Sequence, residues 1–179
     1  IRWDAFEAQL EAGPVRVVSA MAANNETGVI QDVQRMARLA QAAGALMHVD
    51  CVQALGKLPL DFTELGCDLV SLSSHKIYGP KGAGALVVKG GTELHPLHHG
   101  GAQERGLRGG TENIAAIVGF GAAAQLAGAE LEARIAHGLV LRERLIAGLR
   151  AMPKITIFGI NAPRISNTVQ FALAGYDGE

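Results

Sequence analysis

Four short apolar runs constrain this chain more than anything else in it. They are "VRVVSAM" at 15–21, "ALMHVD" at 45–50, "DLVSLSS" at 68–74 and "GAGALVV" at 82–88. Runs of this length, bounded by turn residues, suit buried β-strands. Between the first two, Asp32 is placed to cap a helix on which Val33, Met36, Ala37 and Ala40 share one face, and Gly44 is placed to stop it. Strand, helix, strand with short links predicts an α/β fold with a mostly parallel sheet flanked by helices. Such sheets bind ligands beyond the carboxyl ends of their strands. Asn24, Asn25, Asp50, Ser73, Ser74, His75 and Lys76 all follow strand ends.

Residues 94–111, "LHPLHHGGAQERGLRGGT", are rich in Gly, His and Arg without periodicity and read as a long loop, a common seat of function. A helical pattern begins at Glu112. Leu131, Ile135 and Leu139 form one stripe and Leu141, Leu145 and Leu149 another, on one long helix or two consecutive ones. "KITIFGI" at 154–160 and "NTVQFAL" at 167–173 read as strands of a second domain. The expected division is 1–130, the C-terminal part of a larger domain, and 131–179, the beginning of a smaller α+β one.

Hydrophobic residues make up 49% of the chain, enough for a core, and the net charge of −1 gives no footprint for nucleic acid or an anionic membrane. No apolar stretch reaches the ~20 residues of a membrane span, and no signal peptide is visible. A cytoplasmic protein is expected. Cys51 and Cys67 lack metal or CxxC spacing and read as small buried thiols in a reducing compartment. The first residue is Ile1, so a piece of a longer chain is expected.

Lys76 raises the chemical question. A lysine in a partly desolvated pocket loses its proton near neutrality and can form a Schiff base, whereas an ordinary lysine snorkels its ammonium into water. Its neighbours favour the first role. A carboxylate at Asp50 suits the protonated ring nitrogen of pyridoxal 5'-phosphate, and Gln53 suits the ring's phenolate oxygen. Ser73, Ser74 and His75 offer donors to a phosphate. Taken singly, Asp50 reads equally as a cap, Gln53 as a surface amide and the serines as backbone caps. "GPKGAG" lacks the order of a P-loop. His95, His98 and His99 have no carboxylate or thiol at ligand spacing, so no metal is expected.

Longer motifs add a family. "NNETGVIQDV", "HVDCVQALGK", "SSHKIYGPKGAGAL" and "GGAQERGLRGGTENIAAIVGFGAA" closely resemble the cysteine desulfurases, pyridoxal-phosphate enzymes of the class V aminotransferase group with the fold type I architecture. The resemblance spans 19 to about 125 and is looser over 126–179. It implies that Lys76 binds the cofactor covalently and shuttles a proton. It implies Asp50 on the pyridine nitrogen and Gln53 on the phenolic oxygen. Ser73 and His75, with Ser74 adjacent, would hold the phosphate, and Asn25 would lie beside cofactor and substrate carboxylate. Thr111 would reach the phosphate in the partner subunit of a homodimer. The implied reaction turns L-cysteine into L-alanine and a cysteine-bound sulfur destined for iron–sulfur cluster assembly and other sulfur-acceptor proteins.

The sequence departs from that pattern at the nucleophile. The family's sulfur-accepting cysteine lies in a Ser/Gly/Ala-rich loop, and neither Cys51 nor Cys67 stands in one. The residue stacked on the ring and the arginine that clamps the substrate carboxylate are also missing. Other readings are a different class V enzyme, such as a selenocysteine lyase or an aminotransferase, and a catalytically incomplete dimerisation or scaffold piece.

Overall fold

The computed structural model describes residues 1–178. The first element, α1 (Trp3–Glu11), is one the strand-centred reading passes over. Trp3, Phe6 and Leu10, spaced as one helical stripe, pack on the core. The Arg35 guanidinium lies 4.0 Å above the Trp3 ring and pairs with Glu7 at 2.8 Å. There follow β1 (Val17–Met21), α2 (Val33–Ala42), β2 (Leu46–Asp50), the short α3 (Phe62–Leu65), β3 (Leu69–Ser73) and β4 (Gly84–Val88). As expected, Asp32 caps α2, its carboxylate accepting from the Arg35 amide at 2.9 Å. Val33, Met36, Ala37 and Ala40 are the buried face of α2.

The sheet runs β1-β2-β3-β4, with the first two pairings parallel and the last antiparallel. Val18, Met47, Val49 and Val70 project to one side, where α2, Cys51 and Cys67 complete the main core. The register sets Ser19 beside His48 and Asp50 beside both Met21 and Ser71 on the other side. There the His48 ring links Ser19 Oγ at 2.7 Å to Ser71 Oγ at 3.1 Å. A polar row of this kind is what period-two alternation produces on a sheet face.

After the loop come α4 (Ile114–Ala129), capped by Asn113, and α5 (Leu131–Arg150), bent 70° from α4 at Glu130. The two expected leucine stripes share this one helix, but only Ile146 and Leu149 are fully buried; Leu139, Leu141 and Leu145 are exposed. The two C-terminal strands are shorter than their apolar runs: β5 (Ile155–Ile157) and β6 (Phe171–Leu173) pair antiparallel. The intervening segment docks onto the turn after β1. Ile30 N donates to Pro163 O at 2.8 Å and Ile165 N to Gly28 O at 2.9 Å. Gly28 has φ 71°, and a Cβ there would stand 2.8 Å from Thr168 Cβ, so the approach requires glycine.

Asp68 ties the sheet's start together. Its carboxylate, almost fully buried, accepts from the Met47 amide at 2.9 Å and from Lys89 Nζ at 3.4 Å. Asp68→Ala would leave the Met47 N–H buried and unpaired, and denaturant unfolding should show a loss of about 1–3 kcal/mol. Asp68→Asn, which keeps an acceptor, should lose less.

Candidate active site

The carboxyl ends of β2 and β3 adjoin because Asp50 pairs with Ser71. Past β2, the Asp50 carboxylate accepts the Val52 amide through Oδ1 at 2.9 Å, leaving Oδ2 available. The chain then turns through Gln53, whose backbone and side-chain oxygens both accept from Lys57 Nζ at 3.2 Å. With its oxygen engaged, the Gln53 amide offers N–H donors outward.

Past β3, residues Ser74–Ile77 form one 3-10 turn. Ser73 Oγ and His75 Nδ1 are 2.8 Å apart, and His75 and Lys76 are exposed. Ser74 departs from the expectation for it. It is fully buried, its Oγ has no hydrogen-bond partner, and it packs against Gly79 so tightly that a Cβ at 79 would overlap it. The hydroxyl thus packs inward, and the Ser74 amide donates to Ala83 O at 3.1 Å. Ile77 is buried against Leu55, Ala123 and Ala127, fixing the turn on α4. Tyr78 closes it in the left-handed region at φ 69°, and Arg134 of α5 lies 5.2 Å over its ring.

After β1, the two asparagines divide their work. Asn24 Oδ1 accepts from the amides of Glu26 and Thr27 and from Thr27 Oγ1, at 2.9 to 3.1 Å, and so builds the turn. Asn25 is exposed. Thr111 is also exposed, two residues before the α4 cap, and its hydroxyl makes no hydrogen bond among the described residues. Its loop contains consecutive left-handed residues, Glu104 and Arg105. The structure therefore gathers Asp50, Gln53, Ser73, His75 and Lys76 on two adjoining strand ends, and adds no contact from Thr111.

Lys76 also opens into a cleft of about 560 Å³ between the 3-10 turn and α5, lined by Lys57, Tyr78, His137 and Asn167 among others. Burial, and then the charge of Lys76, holds the Lys57 ammonium below its ordinary range. Lys57 escaped the sequence reading; its i,i+4 spacing from Gln53 was the available signal.

The donor set fits pyridoxal phosphate. Asp50 presents a free carboxylate oxygen, Gln53 a donor, and Ser73 with His75 a hydroxyl and imidazole pair suited to a phosphate. Lys76 has no ion-pair partner among the described residues and is available to an aldehyde.

An α/β site built on strand ends, with a lysine at its mouth, defines a class that comparison makes specific. The chain matches the Aminotransferase class-V family across residues 1–179 and belongs to it. It is 45% identical over 163 residues to the cysteine desulfurase IscS of Methanosarcina thermophila, covering 91% of this chain and 40% of that protein. It is 43% identical over 173 residues to the cysteine desulfurase NifS of Azotobacter vinelandii, covering 96% and 43%. The crystal structure of a NifS-like protein from Rickettsia africae superimposes with a TM-score of 0.95 at 32% identity, covering 99% of this chain and 50% of that one. The chain thus spans about two fifths of the length of the curated relatives it matches.

Both cysteines are free and buried. Burial, with smaller contributions from Cys67 and Asp50, pushes the Cys51 thiol up from 9.0 to about 12, and burial raises Cys67 as well. Neither should react with iodoacetamide near pH 8 in the folded chain, and both should in denaturant; mass spectrometry of the alkylated peptides reads this. Because the folded value of Cys51 lies above its unfolded one, the neutral thiol's contribution to stability is whole below about pH 9 and is lost as the pH climbs toward 12. Cys51→Ala should flatten that alkaline loss in denaturant titrations.

Proposed function

We propose that this chain is the cofactor-binding part of a cysteine desulfurase, a pyridoxal-phosphate enzyme that takes sulfur from L-cysteine and leaves L-alanine. The observation that carries the reading is the convergence of Lys76, Asp50, Gln53, Ser73 and His75 on two adjoining strand ends. The identity to desulfurases over nearly the whole chain supports the choice of reaction.

In this reading Lys76 attaches the cofactor and, once released by substrate, acts as the base that moves the α-proton. The Asp50 carboxylate keeps the ring nitrogen protonated and Gln53 donates to the phenolic oxygen. Ser73 and His75 hold the phosphate, with the Ser74 backbone between them. Asn25 orients the substrate carboxylate. Bound there, pyridoxal phosphate supplies an electron sink for charge developing at the substrate α-carbon. Cys51 and Cys67, buried with raised thiols, are not assigned as sulfur acceptors.

The working unit is proposed to be a homodimer in which Thr111 serves the partner's phosphate site. The make-up of α4 supports this. Apolar residues surround the whole helix, yet Ala116, Ala123 and Ala127 are its buried face, and Ile114, Ile117, Val118 and Leu126 are exposed. We place the boundary of a large and a small domain at the 130/131 bend. We also assign a cytoplasmic setting and delivery of the sulfur to iron–sulfur cluster assembly and other acceptor proteins. Two free cysteines support the reducing compartment, and likeness to the desulfurases supports the delivery.

Titration with pyridoxal phosphate tests the reading. The chain should gain a lysine-linked absorbance band near the edge of the visible that Lys76→Ala lacks, and borohydride should trap the cofactor on the peptide containing residue 76. Thr111→Val should weaken cofactor binding about tenfold in the dimer, the value of a hydrogen bond to a charged group. Failure of the wild-type chain to form the adduct would sink the assignment.

A further inference from the structure

We propose that the cleft between the lysine turn and α5 is a second binding site, for a small organic carboxylate with an apolar body. The Ser166 hydroxyl and the Lys57 ammonium receive the carboxylate, and Leu141 and Leu145 receive the body. Ser166 is the fixed point of the site. It is only 6% exposed, yet it lines the cleft. Its hydroxyl has no hydrogen-bond partner among the described residues, and unlike the sealed Ser74 Oγ it remains open to the cleft. Its position is set from three sides. The neighbouring Ile165 is buried, and its amide donates to Gly28 O at 2.9 Å. Arg142 of α5 donates through Nη1 to Arg164 O at 3.2 Å and to Ile165 O at 3.1 Å. Gly138 leaves a gap in the wall of α5, where a Cβ would stand 2.7 Å from Ser166 Oγ. Glycine weakens a helix interior, so α5 gives up stability at the point where the hydroxyl is seated. A hydroxyl held this firmly bonds a ligand without first being ordered.

The charge of the cleft selects an anion. Among the described residues its one carboxylate is Glu130, which accepts from Arg134 at 2.8 and 3.0 Å. Arg142 is paired with Glu143 at 3.0 Å. Lys57 has no carboxylate partner among the described residues. Its Nζ spends two of its three N–H donors on Gln53 oxygens, both at 3.2 Å, and keeps one. The walls select an organic anion over a bare ion. Leu141 and Leu145 line the same space and are 52% and 47% exposed, beside Ile135 and Val169. At about 560 Å³ the cleft has the size of sites that enclose small organic molecules. None of the strand-end donors takes part, so the site stands apart from the cofactor assignment.

The test uses para-fluorophenylacetate as probe and the alcohol para-fluorophenethanol as its uncharged counterpart, each followed by fluorine NMR line broadening on titration with the chain. The acid should bind and the alcohol should not. Ser166→Ala should weaken binding of the acid about tenfold, the value of a hydrogen bond to a charged group. Leu141→Glu, at an exposed position on the cleft wall, should abolish it. Leu97→Glu makes the same charge change at a residue 85% exposed and outside the cleft, and should bind as the wild type does. Circular dichroism checks that each variant is folded; should Ser166→Ala fail to fold, Leu141→Glu against Leu97→Glu decides. Equal binding of acid and alcohol overturns the inference, as does full binding by folded Leu141→Glu or Ser166→Ala, or no binding by the wild type at millimolar probe. Failure of the chain to take up pyridoxal phosphate would refute the cofactor assignment and leave these outcomes unaffected.

Discussion

Asp68 enters the sheet just before β3 with its carboxylate turned inward. It gives the Met47 amide an acceptor that no strand residue supplies, while its own amide donates to Met47 O at 2.9 Å and its carbonyl accepts from Lys89 N at 2.9 Å. β2, β3 and β4 are thereby aligned at one end by a single residue. A buried carboxylate is costly unless its oxygens are bonded, so few other alignments are tolerable. A slip of one residue would also carry Met47, Val49 and Val70 out of the core. The opposite ends of the strands inherit this register, and Asp50 comes to lie beside Ser71.

The chemistry is then arranged by two turns that leave those ends and press on each other. β2 ends on Asp50 and the turn after it carries Gln53 and Lys57, while β3 ends on Ser73 and the turn after it carries His75 and Lys76. Ile77 seats the second turn on α4, and the close passages at Gly56 and Gly79 allow both turns to approach their neighbours. The exposed lysine is thus held by buried residues on either side of it, Ser74 and Ile77. That arrangement places a flexible side chain on a rigid base.

Much of this was legible in the sequence. The strands and α2 follow from short apolar runs and one amphipathic stripe, and Asp32 from its position ahead of that stripe. Less legible were features that depend on a distant partner. α1 is stabilised by Trp3, Phe6 and Leu10 meeting a core formed much later in the chain. Leu141 and Leu145 carry helical spacing yet line an open cleft, because spacing reports a shared face and not what covers it. Ser73 and Ser74 look alike as neighbours, yet Ser73 stays half-buried while Ser74 is fully buried against Gly79.

By itself the sequence determined the α/β class and singled out the strand ends, with Lys76, Asp50 and Gln53, as the candidate site. It could do so because strand length, helix periodicity and capping are local properties of a chain. Tertiary structure alone decided that Ser74 turns inward, that Asn24 builds a turn while Asn25 stays open, and that Lys57 and Lys76 line one cleft. Those outcomes are set by contacts between segments far apart in sequence or by a close backbone approach, and no local pattern encodes either.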